Sequence, residues 1–466
     1  MTSITLYGGV NQIGGNKILV EDKKNEAKVF LDFGMSFTDR GKYFEEYLRP
    51  RSSSGLKDFL TLHLLPELEN LYRNDLLEFS GMKKHKDVSV DAVLLSHAHQ
   101  DHHSYISFLD ERIPIYCSEI TLAYLKALQE SGPAQAEQEV VYFRNKLGKR
   151  GEKPISRDFR TVKGKFKING LEVEVCPVDH SVFGDTAFIL YCSDATIVYS
   201  ADLRLHGSYG HLTQEFAEKA ALEKPDIYLS EGTRIAEQDT HNEAYVKANA
   251  AKTIQQTKGL AIADFAFRDL TRYSTFLEVA KQNERQLLVP FRDAYLIREV
   301  AKLVPNVPSI DDKDILLYKE KKRSGQYDEK DYMLWEREFL SMKNTVDSSY
   351  VHLHQKDLVA SMGYFDMSEF IDIRPMQGSS YIHSLSEPYN EEMVFDDKRL
   401  QNWLDFLKLP RNHFHCSGHA PGQDLRQVAK TIDAKTVIPI HTEHPELFKD
   451  FAKNVIYPEY GKEIEL

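Results

Sequence analysis

Residues 90–103 read VDAVLLSHAHQDHH. The first seven are an apolar β-type run, and the run opens directly into a segment carrying His97, His99, Asp101 and His102. Two imidazoles at i and i+2 of an extended chain point to one side, and a turn into helix brings Asp101 and His102 to the same space from its first turn. Neutral imidazole and carboxylate are borderline ligands suited to Zn²⁺ or Mn²⁺. A His-rich surface turn is the competing reading, and the rest of the chain bears on the choice. Three further β-type runs end in a ligand-type residue: VDH at His180, YSAD at Asp202 and VIPIH at His441. A lone strand-end His is more often a hydrogen-bonded structural residue, but four strands delivering His or Asp to one edge is the pattern of a metal centre.

Outward from that segment, SITLY (3–7), KILVE (17–21) and KVFLDF (28–33) precede it, and LEVEVCPV (171–178), TAFILYC (186–192) and TIVYS (196–200) follow. Gly, Asn, Asp and Lys turns separate them, which predicts a sheet-rich layered domain. Residues 38–89 break the pattern. There LKDFLTLHLLPELENLY (56–72) places apolar residues on one face of a helix, so this segment reads as a helical insertion or lid. From about 225, strands alternate with helices: DIYLSEGT, a helix near 242–257, GLAIADF, a helix near 268–282, QLLVPF, and a helix near 292–303. That alternation predicts a parallel αβα unit. YKEKKRSGQYDEKD (318–331) is a solvated charged loop. The end of the chain returns to a strand (RNHFHCSG), a helix (GQDLRQVAKTIDA) and a strand (KTVIPIH), with Leu425, Val428, Ala429 and Ile432 on one helical face.

The chain has 466 residues, with 59 Lys plus Arg against 71 Asp plus Glu and a formal charge of −12. No global basic field is available, so a nucleic-acid partner has to be held by a local patch or by metal ions. The four cysteines, at 117, 176, 192 and 416, show no CxxC spacing, which implies reduced thiols and a cytosolic setting. MTSITLYGGVNQIGGN has no basic n-region or apolar h-region, and no apolar run approaches the roughly 18 residues of a membrane span, so neither export nor a membrane is expected.

These motifs resemble the metallo-β-lactamase superfamily, in which HxHxDH is followed by a distant His, Asp and His. The likeness is closer to the β-CASP group of nucleases, and within it to the ribonuclease J family in its short form, and it runs over nearly the whole chain. It implies an α/β fold: a metallo-β-lactamase αββα sandwich with an inserted β-CASP αβα domain. The first part of the sandwich is then 1–225, with its helical insertion at 38–89, the inserted domain 226–405, and the return 406–466. The resemblance assigns His97, His99 and His180 to one Zn²⁺, Asp101, His102 and His441 to a second, and Asp202 to both, with Mn²⁺ as the alternative metal. Asp32 in FLDFG orients the site, and GGVNQIGGN (8–16) is similar to the opening Gly-rich turn, with Gln12 where Glu is usual. Glu231 in LSEGT, His419 in HCSGHA (415–420) and the final His441 are the β-CASP marks. Members acting on RNA carry His at that last position, and DNA-directed ones carry Val. The chain departs from the pattern with HTEHP after the last strand, QGSS (377–380) in place of TGS, and the 38–89 segment.

The implied activity is metal-dependent hydrolysis of RNA phosphodiester bonds in RNA processing or decay, mainly 5′-to-3′ exonuclease action with endonuclease action beside it. The implied substrate is single-stranded RNA, with a 5′-monophosphate end preferred, and the setting is the cytoplasm, with a homodimer as one assembly. Asp101 and His419 are the expected catalytic groups, Asp101 on the attacking water and His419 on the leaving oxygen. His415, Ser379, Ser380, Arg268 and Arg272 are the expected RNA contacts. Two alternatives stand beside this reading: a β-CASP DNA nuclease, and a catalytically inactive RNA-binding scaffold, a class that has usually lost metal ligands retained here.

Overall fold

The computed structural model describes residues 1–45, 47–133, 135–149, 151–238, 241–387 and 391–466. Period-two alternation commits one side of each N-terminal strand to a shared core. Thr2–Leu6, Ile18–Asp22 and Ala27–Leu31 pair antiparallel; Ala92–Leu94, Ile115–Cys117 and Phe159–Thr161 add in parallel, and Glu463–Glu465 closes the far edge of this seven-stranded sheet. A six-stranded sheet follows the order Thr436–Ile440, Ile227–Glu231, Thr196–Tyr199, Thr186–Tyr191, Leu171–Pro177, Lys165–Ile168. Ile4, Leu6, Val20, Val29 and Leu94 of the first sheet share one buried cluster with Val173, Phe188, Leu190, Leu229 and Ile440 of the second. Intervening residues of the second sheet, Ala187, Ile189, Val198 and Tyr228, are buried on its other face with Phe216 and Ala217 of helix Gly210–Leu222 and with Leu425, Val428 and Ile432 of helix Gly422–Ile432. Two sheets back to back with helices outside make the αββα sandwich.

The second unit is built on a seven-stranded sheet ordered Thr345–Val346, Ile315–Tyr318, Gln286–Pro290, Leu358–Ala360, Ala261–Asp264, Ser380–His383, Arg411–His413, parallel at every pairing. Ile262, Leu288, Leu316, Ala360 and Tyr381 form a core with Val351, Phe370, Leu400 and Leu404 from the helices on one face. Their strand neighbours Ala261, Ala263, Leu287 and Val289 are equally buried on the other face. This is the inserted αβα domain.

The chain divides into a first unit of Met1–Leu205, Tyr209–Asp239 and Gly418–Leu466, and a second of His206–Ser208 and Thr240–Ser417. The expected junctions at 225/226 and 405/406 thus move by about a dozen residues. Strand pairing explains both shifts. Ile227–Glu231 pairs in parallel with strands of the first unit on both sides, and Arg411–His413 pairs with Ser380–His383 in the second.

Among its described residues the 38–89 segment is less helical than its apolar spacing predicts, with helices at Phe37–Gly41, Lys57–Thr61 and Asn74–Phe79. Leu56, Phe59, Leu60, Leu64 and Leu65 are buried as expected, but His63 takes a left-handed φ of 55° and Pro66 removes the next donor, so the helix stops after Thr61. Among the described residues no disulfide links the four cysteines, and no helix is long and apolar enough to cross a membrane.

Candidate metal centre

Strand Ala92–Leu94 delivers His97 and His99 in extended chain; His99, with φ −90° and ψ 146°, caps helix Gln100–His103, whose first turn presents Asp101 and His102. The Gly-rich turn closes over this helix. Gly14, at φ +77°, lies where a Cβ would come 2.7 Å from Asp101 Oδ2, so the turn reaches the carboxylate only without a side chain. His180, Asp202 and His441 arrive from the ends of strands in the second sheet, all within the first unit. Asp32, Ala201 and His441 hold left-handed φ values of 57°, 51° and 51°. Non-glycine residues at such angles cost about 1–3 kcal/mol each and cluster at functional sites.

Two donor groups result, sharing Asp202: His97, His99, His180 with Asp202, and Asp101, His102, His441 with Asp202. His97 Nε2 lies 3.0 Å from His99 Nδ1, which lies 3.1 Å from His180 Nε2. Asp202 Oδ2 is 3.1 Å from His102 Nε2 and 3.7 Å from His97 Nε2, while His441 Nε2 is 3.1 Å from Asp101 Oδ2 and 3.7 Å from Asp202 Oδ1. Ligands at about 2.0–2.1 Å around a tetrahedral ion stand roughly 3.3 Å apart, so these spacings fit a metal. Asp202 Oδ1 is buried without a hydrogen-bond partner, as a donor atom reserved for a cation would be.

Electrostatics agree with that fit. Burial, reinforced by neighbouring imidazoles, pushes His97 and His180 well below the ordinary histidine range, which leaves lone pairs available. Burial alone would raise Asp101 and Asp202, yet His102 and His441 outweigh it and hold both carboxylates ionised. The outer nitrogens of three donor rings are tied down. His102 Nδ1 is 2.7 Å from Asp32 Oδ2, His180 Nδ1 2.6 Å from the Gly418 carbonyl, and His441 Nδ1 2.8 Å from the Thr233 hydroxyl. Asp32 also accepts from the Ser96 N–H and hydroxyl and from the Tyr199 hydroxyl, at 2.6–2.8 Å.

His419 stands beside the two groups, with Nδ1 3.3 Å from both Glu231 oxygens and 3.9 Å from Asp202 Oδ2. Glu231 is itself aimed by the backbone N–H groups of Leu203 and Thr233. Burial would depress the His419 imidazole, but in the metal-free site Glu231 and Asp202 prevail and raise it to about 9. Asp202, Glu231 and His419 also form a third donor group.

Ser96, Thr233, Arg204 and Asp179 escaped the sequence reading. Arg204 is fully buried and pairs with Asp179 at 3.3 Å, joining the chain just before His180 to the chain just after Asp202. A charged residue two positions beyond a strand-end ligand was its one signal.

The expected RNA contacts all lie in the second unit, and several are corrected. Arg272 is 1% exposed; its guanidinium binds both Glu243 oxygens at 3.1 Å and the Ser384 and Cys416 carbonyls at 3.1 and 3.3 Å. It is an internal clamp that ties helix Glu243–Gln256 to the chain at Ser384 and Cys416. Ser379 accepts from the Leu260 N–H and Ser380 meets the Thr257 hydroxyl at 2.6 Å, while their own N–H groups go to Met376 and Leu260, so this turn starts a strand and is not a phosphate cradle. Arg268 is half-buried, its guanidinium 5.5 Å from the Phe267 ring centre. His415 Nδ1 is 3.1 Å from the Ser384 carbonyl, and burial together with Arg272 lowers the ring to about 3. Removing one partner of a buried ion pair costs about 3–5 kcal/mol. Arg272→Ala is therefore expected to lose that much stability in equilibrium urea unfolding; unchanged stability with weakened RNA binding would return Arg272 to the surface role.

Residues 74–262 match the family described as the beta-lactamase superfamily domain, and residues 407–464 match the Zn-dependent metallo-hydrolase RNA specificity domain. The chain is similar to ribonuclease J of Mycoplasma pneumoniae, at 20% identity over 95% of this chain and 68% of that one. It is also similar to ribonuclease J of Helicobacter pylori, at 20% over 99% and 60%, and of Pyrococcus abyssi, at 22% over 95% and 90%. It spans about three fifths of the Helicobacter protein's length. A solved structure from Enterococcus faecalis, of a protein of unknown function, superposes with TM-score 0.76 at 22% identity over the full length of both chains.

Proposed function

We propose that this chain, a metallo-β-lactamase-superfamily protein of the β-CASP type similar to ribonuclease J, is a metal-dependent ribonuclease that hydrolyses RNA phosphodiester bonds. The observation that carries the reading is one buried carboxylate, Asp202, shared by two donor groups of His and Asp at the same strand ends. Bound there, two Zn²⁺ or Mn²⁺ ions would supply an activated water and positive charge for the phosphoryl oxygens. His97, His99 and His180 would hold one ion, and Asp101, His102 and His441 the other. Asp101, half-buried at the mouth of the site, orients the water, and Asp32 fixes the tautomer of His102. His419, kept protonated by Glu231, gives its proton to the leaving 3′ oxygen, so the products carry a 5′-phosphate and a 3′-hydroxyl. Action is 5′-to-3′ from a 5′-monophosphate end, with Arg268 and His415 as contacts to the RNA.

The test is digestion of matched RNA and DNA oligonucleotides labelled at either end, before and after chelation, with Zn²⁺ or Mn²⁺ restored. Mononucleotide release from RNA that stops with chelator and returns with metal is expected, fastest on 5′-monophosphate ends. Equal cleavage of DNA would make the chain a DNA nuclease; equal rates on 5′-triphosphate, 5′-hydroxyl and 5′-monophosphate RNA would remove the end preference; RNA binding without cleavage would leave a scaffold.

A further inference from the structure

Between strands Leu171–Pro177 and Thr186–Tyr191 the chain turns through Phe183, Gly184 and Asp185, and the turn buries a carboxyl that no step above uses. Asp185 is 1% exposed, and neither of its oxygens has a hydrogen-bond partner. An unpartnered buried carboxyl is destabilising by several kcal/mol, so its surroundings have to offset it.

The backbone fixes where this side chain points. The Val178 N–H donates to the Asp185 carbonyl at 3.1 Å, and the Thr186 N–H and hydroxyl donate to the Ser96 carbonyl at 3.2 and 3.1 Å, which locks the turn against the strand that leads into His97. Gly184, at φ +85°, passes so close to the start of helix Glu119–Ser131 that a Cβ would stand 2.7 Å from that of Ile120. Its carbonyl accepts the Ser118 and Thr121 hydroxyls at 2.8 and 3.0 Å. Held from both sides, the turn places Asp185 Oδ2 3.6 Å from His97 Nδ1.

That nitrogen is the outer atom of a donor ring. Asp32, the Gly418 carbonyl and Thr233 serve the outer nitrogens of His102, His180 and His441. His97 Nδ1 meets the Ser96 hydroxyl at 2.9 Å, but that hydroxyl donates its single proton to Asp32 at 2.8 Å, so toward His97 it is a neutral acceptor already polarised elsewhere. We propose that Asp185 is the positioning carboxylate of His97. The His97 Nδ1–H is shared between Ser96 Oγ and Asp185 Oδ2, which commits Nε2 to the metal and makes it a stronger donor. An approach of a few tenths of an ångström turns the 3.6 Å contact into a hydrogen bond.

The inference rests on the reading of this site as a metal centre, and its test separates the two. Zn²⁺ affinity is measured by competition with a chromophoric chelator, beside the thermal stability of the metal-free protein, for wild type, Asp185→Asn and Asp185→Ser. Both variants are expected to bind Zn²⁺ about 10–100-fold more weakly, the range found when outer-shell partners of metal-ligating histidines are removed. Metal-free stability is expected to hold or rise, because a buried polar group without a hydrogen-bond partner is gone. The smaller, uncharged Ser keeps the test open if Asn does not fold. Wild-type Zn²⁺ affinity in either folded variant, or a lower melting temperature with no change in affinity, overturns the proposal. A wild-type protein that takes up no metal overturns the metal-centre reading itself.

Discussion

Asp202→Ala is expected to empty both donor groups at once and to abolish cleavage. Its two oxygens reach both sets, Oδ2 toward His102 and His97 and Oδ1 toward His441, and it is the residue common to every donor group around the site. A variant such as His180→Ala removes one of four donors from one set and leaves the other complete. Loss of Asp202 takes one donor from each set, and also the negative charge that holds His102 protonated in the absence of metal. Catalytic metals bring the pKa of their water from 15.7 to about 7, so an unloaded site is expected to lose at least ~10⁴-fold in rate. Metal per chain by elemental analysis, beside single-turnover cleavage of RNA, checks it. Half the wild-type metal with measurable activity would mean that Asp202 serves one ion only.

The cluster of donor residues is legible because its first four members lie within six positions, where spacing alone dictates geometry. His180, Asp202 and His441 needed the further step of seeing that each ends an apolar run, and the parallel and antiparallel pairings do bring those ends together. What failed were inferences that needed burial. Arg268 and Arg272 stand four positions apart and look alike in sequence, yet the first precedes helix Leu270–Gln282, half-buried beside Phe267, and the second lies within it, enclosed with Glu243. Ser379 and Ser380 follow a glycine, as phosphate-binding turns do, but their donors are consumed by the first rungs of a strand. Asp185 gave no signal at all: a carboxylate after Gly in a hairpin is ordinary turn chemistry, and only the enclosed geometry shows it facing His97.

His419→Ala is expected to separate proton transfer from metal binding. The residue sits in the turn before helix Gly422–Ile432, where Pro421 starts the helix, the Ala420 N–H bonds the Leu203 carbonyl at 2.7 Å, and Arg234 reaches the His419 carbonyl at 3.4 Å. That anchoring places the imidazole against Glu231, whose oxygens are held by Leu203 and Thr233, so the ring is oriented and charged before any substrate arrives. Each donor group already offers four residues, so metal bound there would need no further protein donor, and a positioned acid is typically worth 10²–10⁴-fold, or about 3–5 kcal/mol. The variant is therefore expected to keep wild-type metal content and RNA affinity while cleavage falls by roughly that factor, with KM little changed. A leaving group that needs no proton discriminates further: RNA with a bridging sulfur at the scissile 3′ position is expected to recover most of the lost rate in His419→Ala. The grouping of His419 with Asp202 and Glu231 as a third donor set supplies the contrary outcome. If metal content falls in step with activity and the sulfur substrate restores nothing, His419 is a donor, and the leaving oxygen takes its proton from elsewhere.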